Sequence, residues 1–206
     1  KKTKFPLFNP LLIAAILVIG FLAIFDIDFD TYNKGGQFIN IFLGPATIVL
    51  AVPLYKNLPL LKKHFLPIFT GILVGSLVSI LSVVSIAVFM GLDKTITVSL
   101  MAKSVTTPIG IEITNSLGGV SSITVLAIVL SGIIGAVVGP TIFKVLKINN
   151  PIAKGVSLGT ASHAVGTSKA LEIGETEGAM SSLSIGVAGI ITVFLAPICY
   201  SLLSSF

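Results

Sequence analysis

Two stretches decide the reading of this chain: TITVSLMAKSVTTPIGIEITNSL (Thr95–Leu117) and GVSLGTASHAVGTSKALEIGETE (Gly155–Glu177). Each mixes apolar residues with Ser, Thr, Lys, Pro, His and Glu, and each sits between long charge-free runs. They also resemble one another. At an offset of 60, Val105, Thr107, Glu112, Ile113, Gly118, Ser121 and Ser122 match Val165, Thr167, Glu172, Ile173, Gly178, Ser181 and Ser182, seven identities in 18 positions. At an offset of 58, Val98-Ser99-Leu100 and Ser104 match Val156-Ser157-Leu158 and Ser162. Such self-similarity reads as an internal repeat: an apolar helix followed by a polar, broken segment.

Around these stretches the chain is oily. Of its 206 residues 54% are hydrophobic and 10% charged, against about 25% charged in a soluble domain. That excludes the soluble globular and disordered classes and points to an all-α polytopic membrane protein. Five apolar runs are candidate spans: Leu11–Phe25, Gly35–Tyr55, Phe65–Leu92, Ser121–Phe143 and Gly178–Phe206. The single Cys199 excludes a disulfide framework. No phosphate loop, dinucleotide fingerprint or metal-ligand spacing is present, so no cofactor, metal or catalytic residue is expected. Net charge +5 comes with lysine only, which reads as lysine retained on one membrane face and not as nucleic-acid binding. The chain starts at Lys1-Lys2-Thr3-Lys4 without methionine, so a further segment is expected before it.

Lysine placement sets the expected topology. If each polar stretch crossed the membrane, the basic loops 56–64 and 144–154 would lie on opposite sides. If each is a re-entrant hairpin, those loops and Lys1, Lys2 and Lys4 share one side, with Asp26–Asp30 and Asp93-Lys94 on the other. The second arrangement obeys the positive-inside rule. It also inverts the two repeats, an architecture of many secondary transporters. The expectation is five spans and two re-entrant or broken-helix hairpins, with a cytoplasmic N-terminus and an external C-terminus. Residues 1–64 form an N-terminal scaffold, 65–120 the first repeat with hairpin 95–117, and 121–206 the second with hairpin 155–177.

The polar residues of the hairpins are the candidate substrate contacts. Thr107-Pro108, with Thr106 beside it, reads as a helix start inside the membrane, and Thr167-Ser168 as its repeat mate. Free N–H groups at such starts suit an anion. Lys103, in AKSVTTP with Ser104, costs about 3 kcal/mol at membrane depth on insertion scales, so it is a functional candidate. It either offers countercharge to a carboxylate, pairs with Glu112 or snorkels to the interface. Ser162, His163 and Lys169 bracket the second break. His163 suits a structural, gating or proton-passing role. Glu112 and Glu172 are equivalent supporting positions, and Glu175 and Glu177 read as solvated. Gly71/Gly75 and Gly135/Gly139 are glycine pairs at helical spacing, weak packing signals.

Three motifs carry a resemblance over essentially the whole chain: YNKGGQFINIFLGPATIVLAVPLYKNLPLLKK (Tyr32–Lys63), KSVTTPIGIEI (Lys103–Ile113) and LGTASHAVGTSKALEIGETEGA (Leu158–Ala179). They resemble the LrgB/CidB family of bacterial membrane proteins. The resemblance adds Asn33, Gly44 and Pro45 as supporting residues. It implies a plasma-membrane location and a small LrgA/CidA-type partner. It also implies one of two roles. One is a carrier of small 2-oxo or 2-hydroxy monocarboxylates such as pyruvate and glycolate, with a proton as a candidate co-substrate. The other is an antiholin- or holin-like modulator of murein hydrolases and autolysis, for which helix faces for self-association would suffice.

Overall fold

The computed structural model describes residues 10–42, 45 and 55–204, and the chain divides into two compact units, 1–52 and 53–206. Every described element is helical. In the first unit α1 (Pro10–Ile24) and α2 (Phe29–Asn40) are joined by a turn in which Asp26 takes φ +50°. Asp28 caps α2 by accepting the Thr31 amide at 2.8 Å. Hydrogen bonds from Thr31 hold its carboxyl below the usual carboxylate range. The described part of α1 has 15 residues and overlaps the run Leu11–Phe25 expected to span. The expected span Gly35–Tyr55 lies largely outside the described residues, and Gly44 is outside them altogether.

The second unit contains α3 (Leu58–Lys63), α4 (Phe65–Phe89), α5 (Lys94–Met101), α6 (Thr107–Ser116), α7 (Ser121–Val145), α8 (Pro151–Ile173) and α9 (Glu175–Ser204). Among the described residues, three helices are long and apolar enough to cross a membrane: α4, α7 and residues Glu175–Ser201 of α9. At 1.5 Å per residue, the 25 residues of α4 and of α7 give about 37 Å each, more than the ~30 Å hydrocarbon core. By contrast α5 and α6, at 8 and 10 residues, reach only about 12 and 15 Å.

Local chemistry sets the ends. Gly91 (φ +67°) closes α4: its amide donates to the Val88 carbonyl and that of Leu92 to Ala87, the paired bonds of a left-handed helix stop. Gly118 (φ +77°) ends α6 in the same manner. Asp93 then caps α5 through the Ile96 amide at 2.9 Å. Asn150 caps α8 through the amides of Ile152 and Ala153, with Pro151 at the first position, where its missing N–H is harmless.

Packing registers give the directions. Ile68 and Ile72 at the start of α4 bury against Ala179 and Met180 at the start of α9. Ile80 and Val83 further along α4 share a core with Ala196 and Cys199. These two helices therefore run parallel. The first arm of α8 also runs parallel to α4: Gly71 faces Val156 and Gly75 faces Thr160. The same arm lies backbone-to-backbone against α9, where Gly155 and Gly159 abut the carbonyls of Glu177 and Ser181. A side chain at either glycine would strike main chain, so both positions exclude one. It follows that the lysines of 56–63 and of 144–154 sit at one end of this unit, and Asp93 with residues 117–120 at the other.

Between these helices the two polar stretches fold back on themselves. Ser99 Oγ of α5 accepts the Val120 N–H at 2.8 Å, and the Ser99 carbonyl accepts the Thr124 hydroxyl at 2.8 Å. Thr114 of α6 meets the same Thr124 hydroxyl at 2.7 Å. The arms thus return to the start of α7. In α8 the reversal occurs at His163, whose φ +41°, ψ −129° interrupts the helix. Gly166 of the second arm abuts the carbonyl of Leu158 in the first. Leu158 and Ala170 share a small core with Phe143.

Candidate functional site

The tip of the first polar stretch ends on α4. Lys103 Nζ donates to Ser79 Oγ at 3.1 Å and to Ser104 Oγ at 3.0 Å, and the two serine hydroxyls are 2.9 Å apart. One turn earlier on α4, Gly75 lets Thr160 approach; a Cβ there would lie 3.0 Å from Thr160 Cγ2. The tip of one stretch and the first arm of the other therefore come within about one helical turn, ~6 Å, of each other along α4.

They share a cleft of about 610 Å³ between α4 and α8. Lys103, Ser104, Ser79, Thr160 and Ala161 line its inner end, and His64 and Asn150 belong to its other end, beside the basic loops. Pro67, Ile68, Gly71, Val156, Ile152 and Ala153 make up its walls. Lys103 is half-buried. The ion pairs among the described residues are Lys56–Glu175 at 3.3 Å and Lys169–Glu172 at 3.0 Å, so no carboxylate there neutralises Lys103. Thr160 is 6% exposed and its hydroxyl, like that of buried Ser76, has no hydrogen-bond partner among the described residues. An unpaired buried hydroxyl costs about 1–3 kcal/mol, which favours occupation of this region by a polar group.

The tip of the second stretch is pinned to α7. The buried His163 Nε2–H donates to the Ile128 carbonyl at 2.9 Å. Gly132 makes room for the ring, since a Cβ there would fall 2.7 Å from His163 Cε1. Gly135 likewise accepts Ser162, whose hydroxyl occupies the place a side chain would take.

Several sequence expectations shift. The helix start at the first break is capped by Thr106, not Thr107, and the Thr106 side chain makes no capping bond. Thr107 is half-buried and Pro108 exposed at the second helical position. The second break falls at His163, four residues before Thr167-Ser168. Thr167 sits inside a helical turn, its hydroxyl donating to the His163 carbonyl at 3.0 Å and meeting Ser181 Oγ at 2.7 Å. Ser168 is exposed and donates to the Ala164 carbonyl. Lys169 pairs with Glu172 and does not line the cleft. Glu112 is exposed, and Lys103 bonds serines instead of it. Glu177 is buried in the first turn of α9, not solvated. Asn33 is half-exposed on α2, and Pro45 is exposed.

Sequence reading missed His64, Ser79, Asn150, Ser157 and Thr160. A signal for Ser79 exists: Gly71, Gly75 and Ser79 recur every four residues and so form one stripe along α4. Among the described residues no group of three His, Cys, Asp or Glu could hold a metal ion.

The LrgB-like family matches residues 1–202 of the chain. The antiholin-like protein LrgB of Bacillus cereus (strain B4264) is 41% identical over 193 residues, which cover 94% of this chain and 84% of that protein. The antiholin-like protein LrgB of Bacillus anthracis (strain CDC 684 / NRRL 3495) matches to the same extent. No solved structure matches. The chain is a membrane protein, and it belongs to the LrgB-like family.

Proposed function

We propose that this protein carries small monocarboxylates, of the 2-oxo and 2-hydroxy acid class, across the bacterial plasma membrane. The observation that carries this reading is Lys103: a half-buried ammonium at the inner end of a cleft, held among the described residues by Ser79 and Ser104. Nearby Thr160 offers an unpartnered hydroxyl. A carboxylate placed there would gain charge-assisted hydrogen bonds, which are about twice as strong as neutral ones.

The fold-back geometry supports reading the two polar stretches as re-entrant hairpins of an inverted repeat. The first enters from the Asp93 end and the second from the lysine-rich end. With lysines cytoplasmic, the cleft opens inward, the N-terminus is cytoplasmic and the C-terminus external. One repeat moving against the other would alternate access. In this reading His163 positions the second tip, since its Nε2–H is committed to Ile128. A small LrgA/CidA-type membrane protein completes the working unit.

A second reading is favoured by the relatives' own name, antiholin-like: a component that sets membrane permeability and murein hydrolase activity without specific transport. The deciding experiment is uptake of labelled pyruvate and glycolate into proteoliposomes, with and without the small partner, beside a dye-leak control. Saturable uptake without leak supports the carrier. Leak without saturation supports the antiholin-like reading.

A further inference from the structure

The cleft is larger than a three-carbon acid requires. Its volume of about 610 Å³ falls in the ~300–1,000 Å³ range of sites that enclose drug-sized ligands. Its charged groups and most of its polar ones lie at the two ends, and Ser157 between them donates its hydroxyl to the Ala153 carbonyl. Between them runs a trunk made by Ile68 and Gly71 of α4 and by Ile152, Ala153 and Val156 of α8. From Gly75, at the level of Thr160, to Ile68 that trunk extends about 10 Å along the α4 axis. Among the described residues no charged side chain lines it. Gly71 keeps it open: the position is exposed, and the nearest atom to a Cβ placed there is Val156 Cγ1 at 3.7 Å. Helix packing alone therefore does not require glycine at 71.

Resting on the carrier reading, we infer that the site prefers monocarboxylates bearing an aliphatic chain longer than that of pyruvate, with the carboxylate at Lys103 and the chain laid along the trunk. An acid with a second charge on its chain would have to place it among Ile68, Val156 and Ile152, where no charged side chain stands among the described residues. Each further methylene buried along the trunk raises affinity about fourfold.

The test is inhibition of labelled pyruvate uptake in proteoliposomes by acetate, butyrate, hexanoate and octanoate, at concentrations that leave the trapped dye in place. In the wild-type protein the inhibition constant falls along the series. In Gly71→Leu and Ala153→Leu, which fill the trunk from opposite helices, the fall stops early and the ratio of the butyrate to the octanoate constant collapses by tenfold or more. Gly71→Ala, whose methyl group makes only ordinary contact, keeps most of the wild-type ratio and shows that the position tolerates change. A wild-type series that is flat or rises with chain length overturns the preference while leaving the carrier reading intact. A fall with chain length that persists unchanged in both leucine variants overturns it too, because the gain then comes from partition into lipid. No saturable pyruvate uptake in any vesicle sinks the carrier reading itself, and this inference with it.

Discussion

Lys103 Nζ lies 3.1 Å from Ser79 Oγ, so the tip of a folded-back polar stretch is anchored midway along a 25-residue apolar helix. A lysine in such a position, with serine hydroxyls as its partners among the described residues, is costly to insert and gains from an anionic ligand. Replacing it by methionine removes a charge-assisted contact worth about 1.5–3 kcal/mol. Lys103→Met is therefore expected to lower kcat/KM for uptake by about ten- to a hundredfold. The melting temperature of the detergent-solubilised protein should stay level or rise. A melting temperature that drops sharply would assign Lys103 to structure instead.

The pinned histidine gives a stability prediction. Gly132→Ala forces a methyl group against the His163 ring and should cost about 1–3 kcal/mol by overpacking. Gly186→Ala, with nothing within 4 Å of its added Cβ, should instead stabilise α9 by up to ~1 kcal/mol through helix propensity. Thermal denaturation of the two variants compares them directly. Equal melting temperatures would mean that the His163 ring is not seated on Gly132.

At the Asp93 end, Thr124 joins both arms of the first stretch to α7 through Ser99 and Thr114. Interhelical hydrogen bonds in membrane proteins average about 0.6 kcal/mol and reach ~1.7. A double-mutant cycle on Thr114→Val and Thr124→Val should return a coupling energy in that range. Strict additivity would show that the two hydroxyls do not meet.

Sidedness can be read with single cysteines introduced in a Cys199→Ser background, the native thiol being buried. Cysteines at Lys62 and Lys147 should react with an impermeant maleimide only from the cytoplasmic face. Cysteines at Lys94 and Ser116 should react only from outside. Opposite labelling of positions 62 and 147 would mean that the first stretch crosses the membrane and would remove the inverted arrangement.

Much of this architecture was legible in the chain because charge is expensive in lipid. The apolar runs of α4, α7 and α9 mark themselves, and the two matched polar stretches stand out between them. Lys103 was legible for the same reason. The exact break was not. Thr167-Ser168 has the composition of a helix start, yet the reversal occurs at His163, where Gly132 and Gly135 of another helix open space for a sharp turn. That cause is tertiary and leaves no mark within positions 163–168. Ser79 and Thr160 stayed hidden because a lone hydroxyl in an apolar helix is usually satisfied by its own backbone. Only the packing of α8 against the glycine stripe of α4 turns them into cleft groups.

In the carrier reading Lys103 receives a carboxylate in the cleft between α4 and α8. The most direct test is uptake of labelled pyruvate by proteoliposomes containing the wild-type protein or Lys103→Met, each with the small partner and with trapped dye in the same vesicles. Saturable uptake by the wild type, its loss in Lys103→Met, and retained dye in both are expected. Dye release, or equal uptake by both proteins, would contradict the carrier reading.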